Sequence, residues 1–495
     1  MTKKDQQTLK EITQTIKQGF YQPDWNSLCR WQVPAWFREA KFGIFIHWGL
    51  YSIPAHANEW YPRNMYIKGR EEFEWHRRTY GEQKDFGYKD FIPLFTAEKF
   101  SPQEWIQLFQ EAGARYIFPV AEHHDGFAMY RSSISEYNAW DMGPHRDILG
   151  ELRSEALRQG LYFCTSNHRA EHWFFMGHGK EFDSDVKEPL KRGDFYWPAM
   201  PEPDVMDLRS RPEPTEEFVT DWLLRVCEII DRYQPSLLYF DWWVQHEAFR
   251  EAFLKMAAYY YNRGLEWGKG TGICYKYDVM AFGSGIVEAE RGGFRDAVPY
   301  VWQADTAIAK NSWCYTDALE YKTARQIICT LIETVCRNGN LLLNTGPKGD
   351  GSIPEDEARI LKEIGAWLKV NGQAVYGTYP WRKCAEGPAV LPQGHFSEHE
   401  EISYTSRDVR FTAKGDKVFA FIMKWPENGK AVIRSMAKQS GQTTADFHGL
   451  IKKVFLLGAE KERVSWHQEE DGLHVECALI TEITKLPVTV CVEVL

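Results

Sequence analysis

Between about residues 41 and 372 the chain alternates two textures. Short runs rich in β-branched and aromatic residues lie at 42–48, 116–122, 161–168, 237–243, 273–277, 286–290, 300–304 and 340–344. Longer stretches with apolar residues at helical spacing lie between them, at 102–113, 147–159, 216–233, 248–263 and 322–337. The first pattern reads as strands and the second as amphipathic helices. Repeated strand–helix units imply a parallel sheet. Eight strand runs predict an α/β fold with a (β/α)8-like barrel, distorted where the sixth and seventh units lack a clear helix. A doubly wound sheet is the alternative.

The segment 354–368 opens on Pro354, carries acidic residues in its first turn and repeats Ile360, Leu361, Ile364 and Leu368, the pattern of a well-started helix. After Asn371-Gly372 the texture changes to short alternating runs at 409–413, 418–423, 454–457 and 488–494, separated by turn residues. Such alternation predicts an all-β sandwich. The expected organisation is a catalytic barrel over 1–372 and a sandwich domain over 373–495.

Composition narrows the function classes. The net charge of −10 and the lack of a basic stripe argue against nucleic acid as a partner. No apolar run approaches the roughly 20 residues that cross a bilayer, so no membrane partner is expected. Residues 1–20 are charged but lack an apolar core, unlike a secretory signal. The ten cysteines, among them Cys164, Cys227, Cys274 and Cys329, form no CxxC pair and read as free thiols of a cytoplasmic protein. Twenty tryptophans and 15% aromatic residues fit a large aromatic core, and equally a protein that stacks rings on the C–H faces of sugars.

In a β/α barrel the catalytic groups sit at the C-terminal strand ends. Those ends carry His47, the run Glu122-His123-His124-Asp125, His168, Asp241-Trp242-Trp243, and Glu288 with Glu290. Asp241 follows an apolar strand, and could simply cap the next helix. Glu288 and Glu290 offer it a second carboxylate from another strand, and glycoside hydrolysis with retention needs two carboxyl groups roughly 5–5.5 Å apart. Adjacent His123 and His124 should point to opposite faces of a strand and so should not share an ion. Neither metal nor cofactor is expected. The histidines read instead as partners for sugar hydroxyls.

Taken together, these motifs resemble a known family. Trp36-Phe37, AKFGIFIHWG at 40–49, YSIP at 51–54 and NEWY at 58–61 are similar to the opening signature of glycoside hydrolase family 29, the α-L-fucosidases. FQEAGARY at 109–116, HHDGF at 123–127, RDI at 146–148 and NGNLLLN at 338–344 resemble later motifs of that family. The resemblance implies a barrel, a C-terminal sandwich and a retaining mechanism. It implies Asp241 as nucleophile and His47, His123, His124, Glu59 and Trp60 as sugar contacts. It also places Trp313 beside the C5 methyl of the sugar. Glu290 fits the acid/base best, with Glu288 as alternative. The stretch 165–173 departs from the pattern, since a Tyr or Trp contact is expected on the third strand and His168 stands in its place. Arg291 is expected to point away from the site, as the strand neighbour of Glu290.

The activity implied is exo-hydrolysis of terminal α-L-fucosides by double displacement through a covalent glycosyl-enzyme. Its partner would be a small fucosylated oligosaccharide or glycoside, and a homo-oligomer is compatible with the chain. A binding protein on the same barrel that has lost catalysis is the alternative, and a metal-dependent hydrolase built on His123 and His124 is a third reading.

Overall fold

The computed structural model describes residues 1–398, 402–438, 446–459, 464–478 and 484–495. Its first part is a closed parallel barrel. The strands are β1 (Phe42–Ile46), β2 (Tyr116–Glu122), β3 (Tyr162–Phe163) with β4 (Thr165–Asn167) sharing the third position, β5 (Leu237–Phe240), β6 (Gly272–Tyr275), β7 (Ile286–Glu290), β8 (Trp302–Ala307) and β9 (Gly339–Thr345). Ile44 of β1 registers with Ile117 of β2 on one side and Leu343 of β9 on the other, which closes the ring. A doubly wound sheet would keep two open edges and is excluded.

The helices Pro102–Glu111, Ile148–Arg158, Glu216–Tyr233 and Ala324–Val335 begin where Ser101, Asp147, Thr215 and Thr323 each accept a hydrogen bond from a first-turn backbone N–H. Such caps satisfy donors that the helix itself leaves unpaired. No helix separates β6 from β7 or β7 from β8, the two connections where the helical pattern fails in the sequence.

Strand alternation builds the mouth. Phe45, Tyr116, Phe118, Cys164, Tyr239, Cys274 and Leu342 form one buried cluster filling the barrel. Gly43 faces it, and a Cβ there would stand 2.2 Å from the Tyr116 ring. Two residues further on, the same side of each strand turns polar. His47 follows Phe45, Asp241 follows Tyr239, Lys276 follows Cys274, Glu290 follows Glu288 and Asn344 follows Leu342. An apolar plug thus carries a polar layer at the C-terminal end.

After the helix Glu355–Asn371 come β10 (Tyr379–Glu386), β11 (Val409–Lys414), β12 (Lys417–Ile422), β13 (Lys430–Ile433), β14 (Ile451–Leu456), β15 (Ser465–Glu469), β16 (Gly472–Glu476) and β17 (Val488–Val494). They form antiparallel sheets of order β10-β11-β12-β17-β14 and β13-β16-β15 around a shared core that includes Phe411, Ile433, Leu473 and Val490. The four runs read from the sequence become β11, β12, β14 and β17, whereas β10, β13, β15 and β16 are not among them; β10 and β15 have no fully buried residue and so lack a clean apolar alternation. The two parts are joined by a buried ion pair. Arg410 of β11 donates to Glu333 of the helix Ala324–Val335 at 2.7 Å, and the Tyr404 hydroxyl donates to the same carboxylate at 2.9 Å.

The chain between β10 and β11 returns to the barrel. Gly394 and Gly293 exchange backbone hydrogen bonds, and Phe396 N donates to Glu290 O at 2.7 Å. Glu398 accepts from Lys322 Nζ and Thr306 Oγ1, each at 2.6 Å. Residues 394–398, beyond the expected boundary at Gly372, therefore sit on the barrel mouth.

Candidate active site

Asp241 stands one residue past β5, at the centre of the polar layer. Its Oδ2 accepts from His168 Nδ1 at 2.8 Å and its Oδ1 from Lys276 Nζ at 2.7 Å. Lys276 Nζ also donates to Glu290 Oε2 at 2.5 Å. One ammonium therefore bridges two carboxylates. Those two oxygens are no more than about 5 Å apart, close enough for the short carboxyl pair of a retaining glycosidase and too close for the wider pair of an inverting one.

The electrostatics divide the pair. Burial alone would raise the Asp241 carboxyl, but Lys276 and His168 outweigh it and hold Asp241 well below the ordinary carboxylate range. At Glu290 burial wins over Lys276, and with Asp305 and Asp241 nearby the group is pushed up to about 7. One carboxyl is thus ionised and the other is poised to carry a proton near neutrality, the division that acid/base chemistry on paired carboxyls needs. Glu288 lies deeper. It accepts from Gln303 Nε2 at 2.6 Å and burial holds its pKa well above the usual range, so it packs the barrel floor below the mouth.

The histidines surround Asp241. His47 Nδ1 lies 2.7 Å from Asn344 Oδ1, while Asn344 Nδ2 donates to Trp313 O at 2.6 Å. That fixes the amide orientation, puts the His47 proton on Nδ1 and leaves Nε2 as an acceptor. His124 Nδ1 donates to His168 O at 2.9 Å, and its Nε2 faces Asp241 Oδ2 at 3.6 Å, too long for a hydrogen bond. Burial depresses the imidazoles of His47 and His123, and lowers His124 to about 4. His123 stacks on His168 with ring centroids 4.7 Å apart. His168 has both nitrogens engaged, one by Asp241 and one by Ser166 Oγ at 2.9 Å. It orients the carboxylate rather than offering a free atom to a ligand.

Glu59 is buried and accepts from Trp313 N at 3.1 Å. Trp313 packs on His47 at 5.2 Å, and Trp60 on His124 at 5.6 Å. Every site residue expected from sequence except Glu288 thus lies around one mouth. Two expectations need correction. Arg291 does not turn away: its guanidinium lies 4.7 Å over the Trp313 ring. The chain leaves the strand there with φ 42°, so strand alternation no longer governs it. Sequence spacing also gave no metal triad, yet the topology gathers two, His47/His123/His168 and His124/His168/Asp241, with ligand atoms within 4.8 Å. His123 and His124 fall in different triads, but they do not face opposite ways as strand alternation would have them: both follow the end of β2, and their rings lie 4.3 Å apart. An ion in either triad would displace at least one of the His168 hydrogen bonds.

Lys276 was not singled out by sequence reasoning. The signal available was its parity, two residues past Cys274 on the interior side of β6.

Comparison with known proteins identifies the family. Residues 8–373 match the family described as alpha-L-fucosidase, and 402–492 match the alpha-L-fucosidase C-terminal domain. The chain belongs to the α-L-fucosidases, glycoside hydrolase family 29. The human tissue alpha-L-fucosidase is 32% identical over 92% of this chain and 87% of its own length. The human plasma alpha-L-fucosidase is 31% identical over 93% and 89%. The Thermotoga maritima alpha-fucosidase, solved with a mechanism-based inhibitor, superposes with a TM-score of 0.74 at 29% identity, covering 96% of this chain and all (100%) of that one. As a family member this fucosidase is a glycoside hydrolase, and its barrel and C-terminal sheets are those of its relatives.

Proposed function

We propose that the protein is a retaining exo-α-L-fucosidase acting by double displacement, with Asp241 as nucleophile and Glu290 as acid/base. The observation that carries this reading is the Lys276 bridge, which holds an ionised and a protonatable carboxyl against one ammonium. Asp241 Oδ attacks the anomeric carbon, the glycosidic C–O bond breaks, and Glu290 gives its proton to the leaving oxygen. Glu290, now ionised, takes a proton from water as that water attacks the anomeric carbon and releases Asp241.

Neutral His47 and His124 offer acceptor nitrogens to hydroxyl donors, and Glu59 adds a carboxylate. The 3.6 Å gap between His124 Nε2 and Asp241 Oδ2 suits a hydroxyl hydrogen shared between them. Trp313 and Trp60 supply apolar faces, one of them for a C5 methyl. The burial of these groups suits a single terminal sugar rather than a chain passing through. The Thermotoga maritima enzyme has been solved with fucose, and a fucosylated glycoside is the substrate class proposed here. No metal takes part in these steps. We place the protein in the cytoplasm, a reading supported by free thiols such as Cys164, Cys227, Cys274 and Cys491. Titration of the denatured chain without reductant should find nearly all ten cysteines of the sequence reduced, and several stable disulfides would argue for export.

The test of mechanism is the first sugar anomer released. Proton NMR of an α-L-fucoside digest should show the α anomer before mutarotation. Initial release of the β anomer would mean inversion and would refute double displacement.

A further inference from the structure

The mouth carries a feature that hydrolysis of the fucosyl unit does not use. Four rings gather on the Glu290 side. Trp242 and Tyr277 lie 4.5 Å apart, Tyr277 and His395 4.6 Å, and Trp242 and Phe396 are nearly parallel at 6.1 Å. Tyr277 is 48% exposed and Phe396 40%. Large rings exposed together, outside the core, mark a binding surface more often than scattered single residues do.

Three further observations tie this cluster to the reacting centre. Trp242 follows Asp241 and Tyr277 follows Lys276, and Lys276 Nζ sits 4.9 Å over the Trp242 ring. His395 and Phe396 are fastened to the peptide groups of Glu290 itself: Glu290 N donates to His395 Nδ1 at 3.1 Å, and Phe396 N donates to Glu290 O at 2.7 Å. Because Nδ1 accepts, the His395 proton resides on Nε2, a donor on the same ring. Finally, the backbone is left-handed at Tyr277 (φ 51°) and Phe396 (φ 52°), neither a glycine. Such conformations are unfavourable for side chains with a Cβ and persist where surrounding contacts impose them, often at ligand-binding positions.

We propose that Trp242, Tyr277, His395 and Phe396 form the subsite for the leaving group and take a pyranose ring through its apolar C–H face. The inference rests on the fucosidase reading above, in which Glu290 protonates the leaving oxygen. Whatever that oxygen belongs to must then lie beside Glu290, where these rings are. Aromatic faces attract the weakly positive C–H edge of a sugar, and the His395 N–H supplies a polar contact for a hydroxyl. The substrate class is therefore an α-L-fucosyl group attached to a second pyranose, and the segment 394–398 supplies half of the subsite.

Two substrates separate this subsite from the fucosyl pocket. α-L-Fucosyl fluoride has a one-atom leaving group that reaches no ring, whereas an α-L-fucosylated disaccharide places a pyranose on them. The quantity read is the ratio of kcat/KM for disaccharide over fluoride. Tyr277→Ala with Phe396→Ala should lower it roughly tenfold, the scale of two lost aromatic contacts. Tyr277→Phe with Phe396→Tyr should hold the ratio within about twofold, because the ring faces remain. Both single alanine variants are measured as well, since each side chain is exposed and lies outside the core. A ratio unchanged in the alanine variants overturns the subsite while fucoside hydrolysis stands. A native protein that turns over neither substrate overturns the fucosidase reading and the subsite with it.

Discussion

Lys276 Nζ donates to Glu290 Oε2 at 2.5 Å, so the proposed acid/base is held beside a permanent cation. The ammonium favours ionised Glu290, against burial, Asp305 and Asp241, which favour the protonated form. The same ammonium also acts on His395 and Tyr277, and His168 and His124 join it in favouring ionised Asp241.

Removing that ammonium should move the pH profile of activity upward. Glu290 must be protonated to act, so the alkaline limb of kcat/KM should fall near its value of about 7. In Lys276→Met the term that lowers Glu290 is gone, and the limb should move to higher pH. The Asp241 pKa rises for the same reason, so the acid limb should move up as well. Lys276→Arg should restore the native limb. A profile identical in Lys276→Met would show that the bridge does not set the acid/base pKa.

Asp241→Gly should lose at least roughly 10³-fold in kcat, the scale of a key catalytic group, and azide should recover part of it by attacking from the vacated face. Near-normal turnover in Asp241→Gly would remove Asp241 from the mechanism.

Glu290→Ala should still release dinitrophenolate, which needs no proton, but fail on a sugar leaving group. Glu288→Ala should not show that split, because Glu288 is committed to Gln303 on the barrel floor. The reverse outcome would move the role two residues upstream.

The barrel wall behind His123 is held by buried charges. Arg169 Nη1 donates to Glu122 Oε1 at 2.7 Å and Arg169 Nη2 to Asp221 Oδ2 at 3.0 Å, while Arg225 and Arg192 also donate to Asp221 at 2.8 and 2.7 Å. Burial opposes ionisation of Asp221, but the three guanidinium groups outweigh it and depress its pKa. A depressed carboxylate stabilises the fold above its unfolded pKa, about 3.9, and that contribution is lost as pH falls through the folded value. Asp221→Asn should therefore cost about 3–5 kcal/mol near neutrality. Thermal unfolding should show the native and variant midpoints converging below about pH 4. A constant gap would mean that the loss is packing, not charge.

Prolonged treatment with a strong chelator should leave activity intact, although two triads of ligand atoms exist. Loss of activity restored by zinc would instead favour a metal-dependent hydrolase.

Much of this arrangement is legible in the chain because strand parity and chain order carry it. Glu290 ends its strand, and Asp241 and His47 each stand one residue past a strand on the parity of its interior side; the same rule marks Lys276. What parity does not carry is anything after the strand ends. Arg291 turns toward Trp313 because its φ is 42°. His395 and Phe396 arrive from a segment 105 residues beyond Glu290 in the case of the His395 bond, and no local pattern announces a contact of that span. The gathering of His47, His123 and His168 is likewise a property of the closed ring, not of spacing.

The most direct test is chemical trapping of the nucleophile. A 2-fluorinated fucosyl fluoride should glycosylate the native enzyme: the nucleophile attacks the anomeric carbon, fluoride leaves, and a slowly hydrolysed glycosyl ester remains. Peptide mapping by mass spectrometry should then find one added 2-fluorofucosyl mass, on Asp241. Label on Glu290 or Glu59, or turnover with no ester under conditions that inactivate other retaining glycosidases, would contradict the account.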